Sequence, residues 1–322
     1  MIQKMNENKR RDELYRLSSF LYQEGKLEVD KISFIKPNVF RVATIKGENL
    51  VLKSHRRKDV MEQQWAFFER MNYSNAVSFK YFPNEKMFIA DKNNYWTIAP
   101  YIRGEKLNYN RKTDRQKAVE ALKNFHSKAT GIYIQQPVYR ELFIIRWIQR
   151  LSLFKKTEHL FAENGFKSLY KDIVQTMETQ LRYLEQFPWH FFEKEALQKG
   201  SWIHGDSASH NFIKNSQVYM IDFDLLHCTN QLYDYIQLGQ RFLSYLNWDL
   251  DELLSYRMAE EMELKPWLYA ILIPSDLLRE WLYFLKSDSS TPIEEYLSQM
   301  EQSLSNRASF LKKAKLVLKS IY

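Results

Sequence analysis

The chain has 322 residues, of which 45% are hydrophobic, 15% aromatic and 27% charged. That length suffices for two domains or two lobes of one domain, and the composition excludes a disordered chain. One cysteine, Cys228, excludes a disulfide framework and any cysteine-based zinc cluster, and fits a reducing compartment. The net charge of +8 is spread along the sequence rather than massed, so we read solvated lysines and expect no specific nucleic-acid partner. The opening MIQKMNENKRRDELYRL is too polar for a signal peptide. No apolar run reaches the roughly 18 residues needed to span a bilayer. A cytoplasmic protein without a membrane span is the expectation. The eight glycines form neither GxGxxG nor GxxxxGK[ST], which argues against a Rossmann site and a P-loop, and HExxH is absent.

In chain order, strand signals occupy residues 29–102. Val39–Ile45 and Asn49–Lys53 form a hairpin around Gly47, and Met87–Ala90 pairs with Tyr95–Tyr101 across residues 91–94. Between the hairpins, 59–71 is helical, with Met61, Trp65 and Phe68 on one face. After Gly104 the period becomes helical. Thr113 and Gln116 form a capping box for a helix burying Ala118, Leu122, Phe125 and Ala129. Further helices are expected over 142–160, 169–184 and from 232 onward, the last capped by Thr291 with Pro292 at its first position. One non-helical island, 201–224, interrupts this half. The predicted architecture is a small strand-rich lobe, 1–103, before a larger helical lobe, 104–322.

The island carries the chemistry. It reads His204-Gly205-Asp206, then Asn211, then a hairpin turning at Asn215-Ser216, then Ile221-Asp222-Phe223-Asp224. The hairpin returns Asp222 beside Asn211, so three oxygen-bearing side chains are expected to converge. Phosphoryl transfer needs such a set: one carboxylate to take the acceptor proton, an amide and a second carboxylate to hold magnesium, a hard cation. A lone HGD is an ordinary turn; the combined spacing is far more specific.

HGDxxxxN followed by IDFD resembles the aminoglycoside phosphotransferase and choline kinase superfamily, whose fold is protein-kinase-like, bilobal and α+β. The resemblance spans about residues 30–245, and its specific part is 201–234. It implies ATP and Mg2+ as cofactors, a nucleotide and a small-molecule acceptor as partners, Asp206 as catalytic base, and Asn211 and Asp222 as metal ligands with Asp224 assisting. It implies loop-bracing roles for His204 and Asp234, and Lys53 as the lysine that meets the α/β-phosphates. The glutamate pairing with Lys53 is Glu62 or Glu69; the apolar stripe flanking Glu62 favours the former. The stretch 97–105 matches the hinge, where the Pro100 carbonyl and the Ile102 amide meet adenine, proline having no N–H to offer. The polar N-terminal segment and aromatic-rich second half are also similar to the bacterial spore-coat branch, which implies coat proteins as partners and the spore coat as a location.

One departure matters. The segment 35–40, where a phosphate-covering loop belongs, has no glycine, so Lys36 or Asn38 must supply side-chain contacts in place of backbone N–H groups. A catalytically weak or inactive binding protein on the same fold is the alternative this departure raises. For the acceptor, Asp249, Asp251, Glu252, Glu260, Glu261 and Glu263 lie between Trp248 and Trp267. Carboxylates suit an aminated substrate and an aromatic box suits a quaternary amine, but an amphipathic helix with a solvated acidic face is the plainer reading.

Overall fold

A computed structural model describes residues 2–92 and 94–320; Asn93, in the expected second turn, lies outside the described residues. The first elements are helix α1 (Ile2–Gly25), strands β1 (Val29–Lys36), β2 (Val39–Thr44) and β3 (Asn49–His55), and helix α2 (Lys58–Phe68). Strands β4 (Ile89–Ala90), β5 (Tyr95–Pro100) and β6 (Glu105–Lys106) follow. Then come helices α3 (Lys112–Lys128), α4 (Phe143–Lys155), α5 (Glu158–Glu163), α6 (Lys167–Leu184) and α7 (Trp189–Lys199). Four short strands, β7 (Trp202–Ile203), β8 (Phe212–Lys214), β9 (Val218–Met220) and β10 (His227–Cys228), break the helical run. Helices α8 (Leu232–Leu243), α9 (Leu250–Ser255), α10 (Glu261–Ile271), α11 (Ser275–Phe284) and α12 (Ile293–Ser320) complete it.

The chain forms two compact units that are not contiguous in sequence. The first takes Met1–Leu107, Ile132–Val138 and His210–Leu226; the second takes Asn108–Gly131, Tyr139–Ser209 and His227–Tyr322. In the first unit an antiparallel sheet runs in the order β1-β2-β3-β5-β4. Alternation along β3 turns Leu50 and Leu52 inward, onto Val42 and Ile98, and Lys53 to the opposite face. Leu21 of α1 seals this core together with Leu27, Phe82 and Ile89. Pro37 and Asn38 form the β1–β2 turn, and Asn38 takes a left-handed φ of 63°. Proline followed by a left-handed residue is the pattern of a type II turn, so asparagine serves where glycine is more usual. A second sheet, β6-β8-β9, belongs to the same unit. Gly104 precedes it, and a Cβ there would stand 2.5 Å from the Lys214 carbonyl oxygen of β8.

The second unit is helical around Trp202, Trp267, Trp281, Phe125 and Phe242, all fully buried. Here α8 packs on α10, and α4 on α11 and α6.

Several boundaries differ from those expected. The Thr113 capping box does not form: α3 starts at Lys112, and the Asp114 carboxylate accepts the Asn108 amide at 3.0 Å. The helix expected over 142–160 is broken between Lys155 and Glu158, where Thr157 donates to the Phe154 carbonyl and accepts from Trp281 Nε1. The final helix begins at Ile293, one residue after Pro292. Helices α1 and α7 had no counterpart in the sequence reading.

Candidate active site

Two clusters of charged side chains contain the residues the sequence singled out. The first lies in the unit of the large sheet. Phe223 is buried against Phe68 of α2, with ring centroids 5.0 Å apart at 87°. Anchoring that ring leaves its neighbours Asp222 and Asp224 to reach the same cation: Lys53 Nζ lies 2.5 Å from Asp222 Oδ1 and 2.7 Å from Asp224 Oδ2. Lys36, at the end of β1, places its ammonium 2.8 Å from Asp222 Oδ2. Asp222 adopts a left-handed φ of 66°, a conformation a non-glycine residue holds only where its surroundings enforce it. The Ile221 amide donates to the Asn211 carbonyl at 3.0 Å, so the β8–β9 ribbon brings residue 211 back beside residue 222. Asn211 is itself buried.

These neighbours set the protonation states. Burial opposes the charge on Asp222, but Lys53 and Lys36 outweigh it and hold the carboxyl well below its ordinary range. Burial likewise opposes the charge on Lys53, and Asp224 and Asp222 reverse that, raising it. His55, two residues on, is pushed down to about 4 by burial and then by Lys53. Its Nε2 lies 2.8 Å from Thr97 Oγ1.

The Lys53–Glu62 pair is not formed. Glu62 lies on the exposed side of α2 and meets Lys58 at 2.8 Å, an i,i+4 pair, while Lys53 is held by the two aspartates. Glu69 accepts from the Tyr81 hydroxyl at 3.5 Å. The neighbouring Gln63 is the buried residue: its amide donates to the Leu226 carbonyl at 2.9 Å and accepts from the Val138 N–H at 2.6 Å. It clips down the chain just past Asp224, and nothing in its sequence context marked it. In the hinge segment, Pro100 pairs with Leu50, and the Tyr101 amide donates to the Asn49 carbonyl at 3.0 Å.

The second cluster lies in the helical unit. Asp234, in the first turn of α8, is fully buried and accepts from the His204 amide at 2.8 Å and the Gly205 amide at 2.9 Å. His126 Nε2 stands 2.9 Å from the same carboxylate. Burial opposes charge on Asp234, and the hydrogen bond from His126 and the charge around it prevail, keeping the carboxyl below its ordinary value. The Asp206 amide donates to His204 Nδ1 at 3.2 Å, and the Tyr109 hydroxyl donates to the Ser207 carbonyl at 2.8 Å. The loop 204–207 is thus tied from three sides. Asp206 Oδ1 is gripped by Arg241 at 2.7 Å. Arg241 was missed; it lies seven residues after Asp234 on α8, two turns along one face, the only signal by which it could have been found.

The acidic stretch near the second tryptophan resolves into separate roles. Asp249 caps α9, accepting the Asp251 and Glu252 amides. Glu252 pairs with Arg115 at 2.8 Å and Asp251 pairs with Lys313. Trp267 is core, while Trp248 lies 4.4 Å beneath the Arg307 guanidinium, so the two do not form a shared aromatic box.

The donor chemistry fits magnesium. Asp222, Asp224 and the Asn211 amide are hard oxygen donors within one unit, as that ion requires. Among the described residues no group of three His, Cys, Asp or Glu side chains is gathered for a metal.

The fold so defined is that of the protein-kinase-like small-molecule phosphotransferases, a small antiparallel sheet followed by a helical region. The chain is similar over 92% of its length to an aminoglycoside phosphotransferase from Alicyclobacillus acidocaldarius subsp. acidocaldarius, covering 95% of that chain with a TM-score of 0.68 and 13% identity. It is similar over 94% of its length to an amicoumacin kinase solved with AMP-PNP and Ca2+, covering 96% of that chain (TM-score 0.60, 14% identity). A spectinomycin phosphotransferase solved with ADP and spectinomycin matches over 89% of this chain and 98% of its own, at TM-score 0.59 and 13% identity. No protein-family model and no curated protein sequence matches the chain. No described helix is long and apolar enough to cross a membrane.

Proposed function

We propose that the protein is an ATP- and Mg2+-dependent phosphotransferase acting on a hydroxyl of a small molecule. The observation that carries the reading is the contact of Lys53 with both Asp222 and Asp224 on a fold shared with nucleotide-bound phosphotransferases. In this reading residues 1–103 form the nucleotide lobe and 104–322 the catalytic and acceptor lobe. Lys53 meets the α/β-phosphates as a compact positive charge. The Pro100 carbonyl and the Ile102 amide meet the adenine edge. Asn211, Asp222 and Asp224 hold the metal, which when bound neutralises charge on the phosphates. Asp206 takes the proton of the acceptor hydroxyl as its oxygen bonds to the γ-phosphorus and the bond to the β-phosphate oxygen breaks, releasing ADP. Asp234 and His204 hold the loop, and Arg241 fixes the orientation of the Asp206 carboxylate.

A second reading is favoured by one observation: Lys36, from the glycine-free turn, rests on Asp222, where a metal ligand is needed. A protein of this kind binds partners, such as components of a spore coat, without turnover. Thermal melting separates the two, because a ligand that binds only the folded state raises the melting temperature. Phosphotransfer requires a Tm rise with ATP and Mg2+ together; an unchanged Tm at millimolar nucleotide defeats it and leaves the binding reading.

A further inference from the structure

The turn between β1 and β2 is fixed beside the strand that carries Lys53. Lys36 pairs with Val39, and Val39 pairs with Lys53, so the three residues form one row across the sheet. Directly opposed residues project from the same face, which puts both lysines on the side away from the Leu50 and Leu52 core. The Asn38 carbonyl accepts from the Ser54 amide at 2.9 Å and pins the turn at its tip. Pro37 has no N–H to offer a ligand. What the turn presents instead is the Lys36 side chain, 52% exposed where that of Lys53 is 17% exposed.

The two ammonium groups divide one carboxylate between them. Lys53 takes Oδ1 of Asp222 and also reaches Asp224, while Lys36 takes Oδ2 of Asp222 at 2.8 Å. Two lysines against two aspartates balance in charge, so the cluster is neutral as it stands. A divalent cation added to the aspartates alone leaves two neighbouring ammonium groups without counter-charge. A polyphosphate arriving with the cation restores the balance. Of the two lysines, Lys36 is the easier to release. It is held through one carboxylate and is half-exposed, and an ion pair so placed is worth little.

We propose that Lys36 is a second phosphate-binding lysine, and that until nucleotide arrives its ammonium occupies Asp222 in place of the divalent cation. On binding, Lys36 turns from Asp222 to the terminal phosphates, making there the charge-assisted contact that backbone N–H groups of a glycine-rich turn would otherwise make. The exchange frees Asp222 only when phosphate is present to receive the lysine, so metal enters with nucleotide and not before it. The proposal rests on the phosphotransfer reading and gives the Lys36–Asp222 contact a place within it.

The test is a pair of binding measurements on the whole protein and on Lys36→Met: calorimetric titration with ATP and Mg2+, and titration with Mn2+ alone followed by its electron paramagnetic resonance signal. The two are expected to move in opposite directions. Lys36→Met weakens ATP with Mg2+ by about tenfold, the scale of a lost charged hydrogen bond. The same change tightens Mn2+ alone by about as much, because the competing ammonium is gone. Lys31→Met, which removes an equal charge from an exposed position earlier on β1, leaves both affinities at the parent's values. ATP affinity unchanged or raised in Lys36→Met overturns the proposal, as does Mn2+ affinity unchanged or lowered. Equal shifts in Lys31→Met also overturn it, since net charge then accounts for them. A parent that binds ATP while Lys36→Met matches it defeats this proposal alone; a parent that binds no ATP at millimolar concentration defeats the phosphotransfer reading as well.

Discussion

The two carboxylates at the hearts of the two clusters, Asp222 and Asp234, are kept ionised by opposite means. Asp222 is flanked by two lysine ammonium groups, one of them on a half-exposed lysine. Asp234 is sealed from water and met by two backbone amides and an imidazole. Long side chains can swing away and let a carboxylate take up a metal or a phosphate-bound cation. Backbone amides cannot, so Asp234 is committed to one geometry. The difference separates a site that must exchange partners from a scaffold that must not.

The largest effect is expected at Asp206, whose carboxylate lies next to the scaffold. Asp206→Asn lowers phosphotransfer about a thousandfold, the range of general-base contributions, while nucleotide affinity changes little. Turnover equal to the parent's contradicts the assignment. Asp234→Ala comes next. It strands two amides and a histidine in the interior, and urea denaturation is expected to show a loss of about 3 kcal/mol. A loss near zero removes Asp234 from its bracing role. Gly104→Ala drives a methyl group into the Lys214 carbonyl and costs about 2 kcal/mol in the same assay; a stabilised variant shows that β8 yields there.

The smallest effect concerns pH. His55 has an ordinary value of 6.5 and is pushed down to about 4 in the fold. Between those values the unfolded chain binds more protons, so stability rises with pH across that window and is fully present above it. His55→Asn flattens the slope; an unchanged slope assigns it elsewhere. Asp222 acts at more acidic pH. Its depressed value means its contribution is present above the unfolded carboxylate value of 3.8 and is lost as pH falls through the folded one.

What the sequence disclosed follows the same division. The hairpins at Gly47 and across 91–94, and the strand that carries Lys53, were legible because alternation and turn residues are local signals. So was the return of Asp222 toward Asn211, since the ribbon between them is short. The partners of Lys53 were not legible. Spacing left Glu62 and Glu69 both open, and only packing shows that Glu62 faces Lys58 while Gln63 is the buried neighbour. Arg241 looks like any helix arginine until Asp206 is set against it. Helix α1 escaped because its sequence is largely polar, and the residues that pack on the sheet core, Leu17, Phe20 and Leu21, lie at its far end. The capping box at Thr113 failed because Asp114 had a better use, the Asn108 amide.

The central claim is that ATP with Mg2+ binds where Lys53 meets Asp222 and Asp224. Hydrogen–deuterium exchange with and without ATP and Mg2+ tests it most directly. Exchange is expected to slow together in three places: the strand around Lys53, the segment from Pro100 to Ile102, and the segment from Ile221 to Asp224. Unchanged exchange in all three contradicts it.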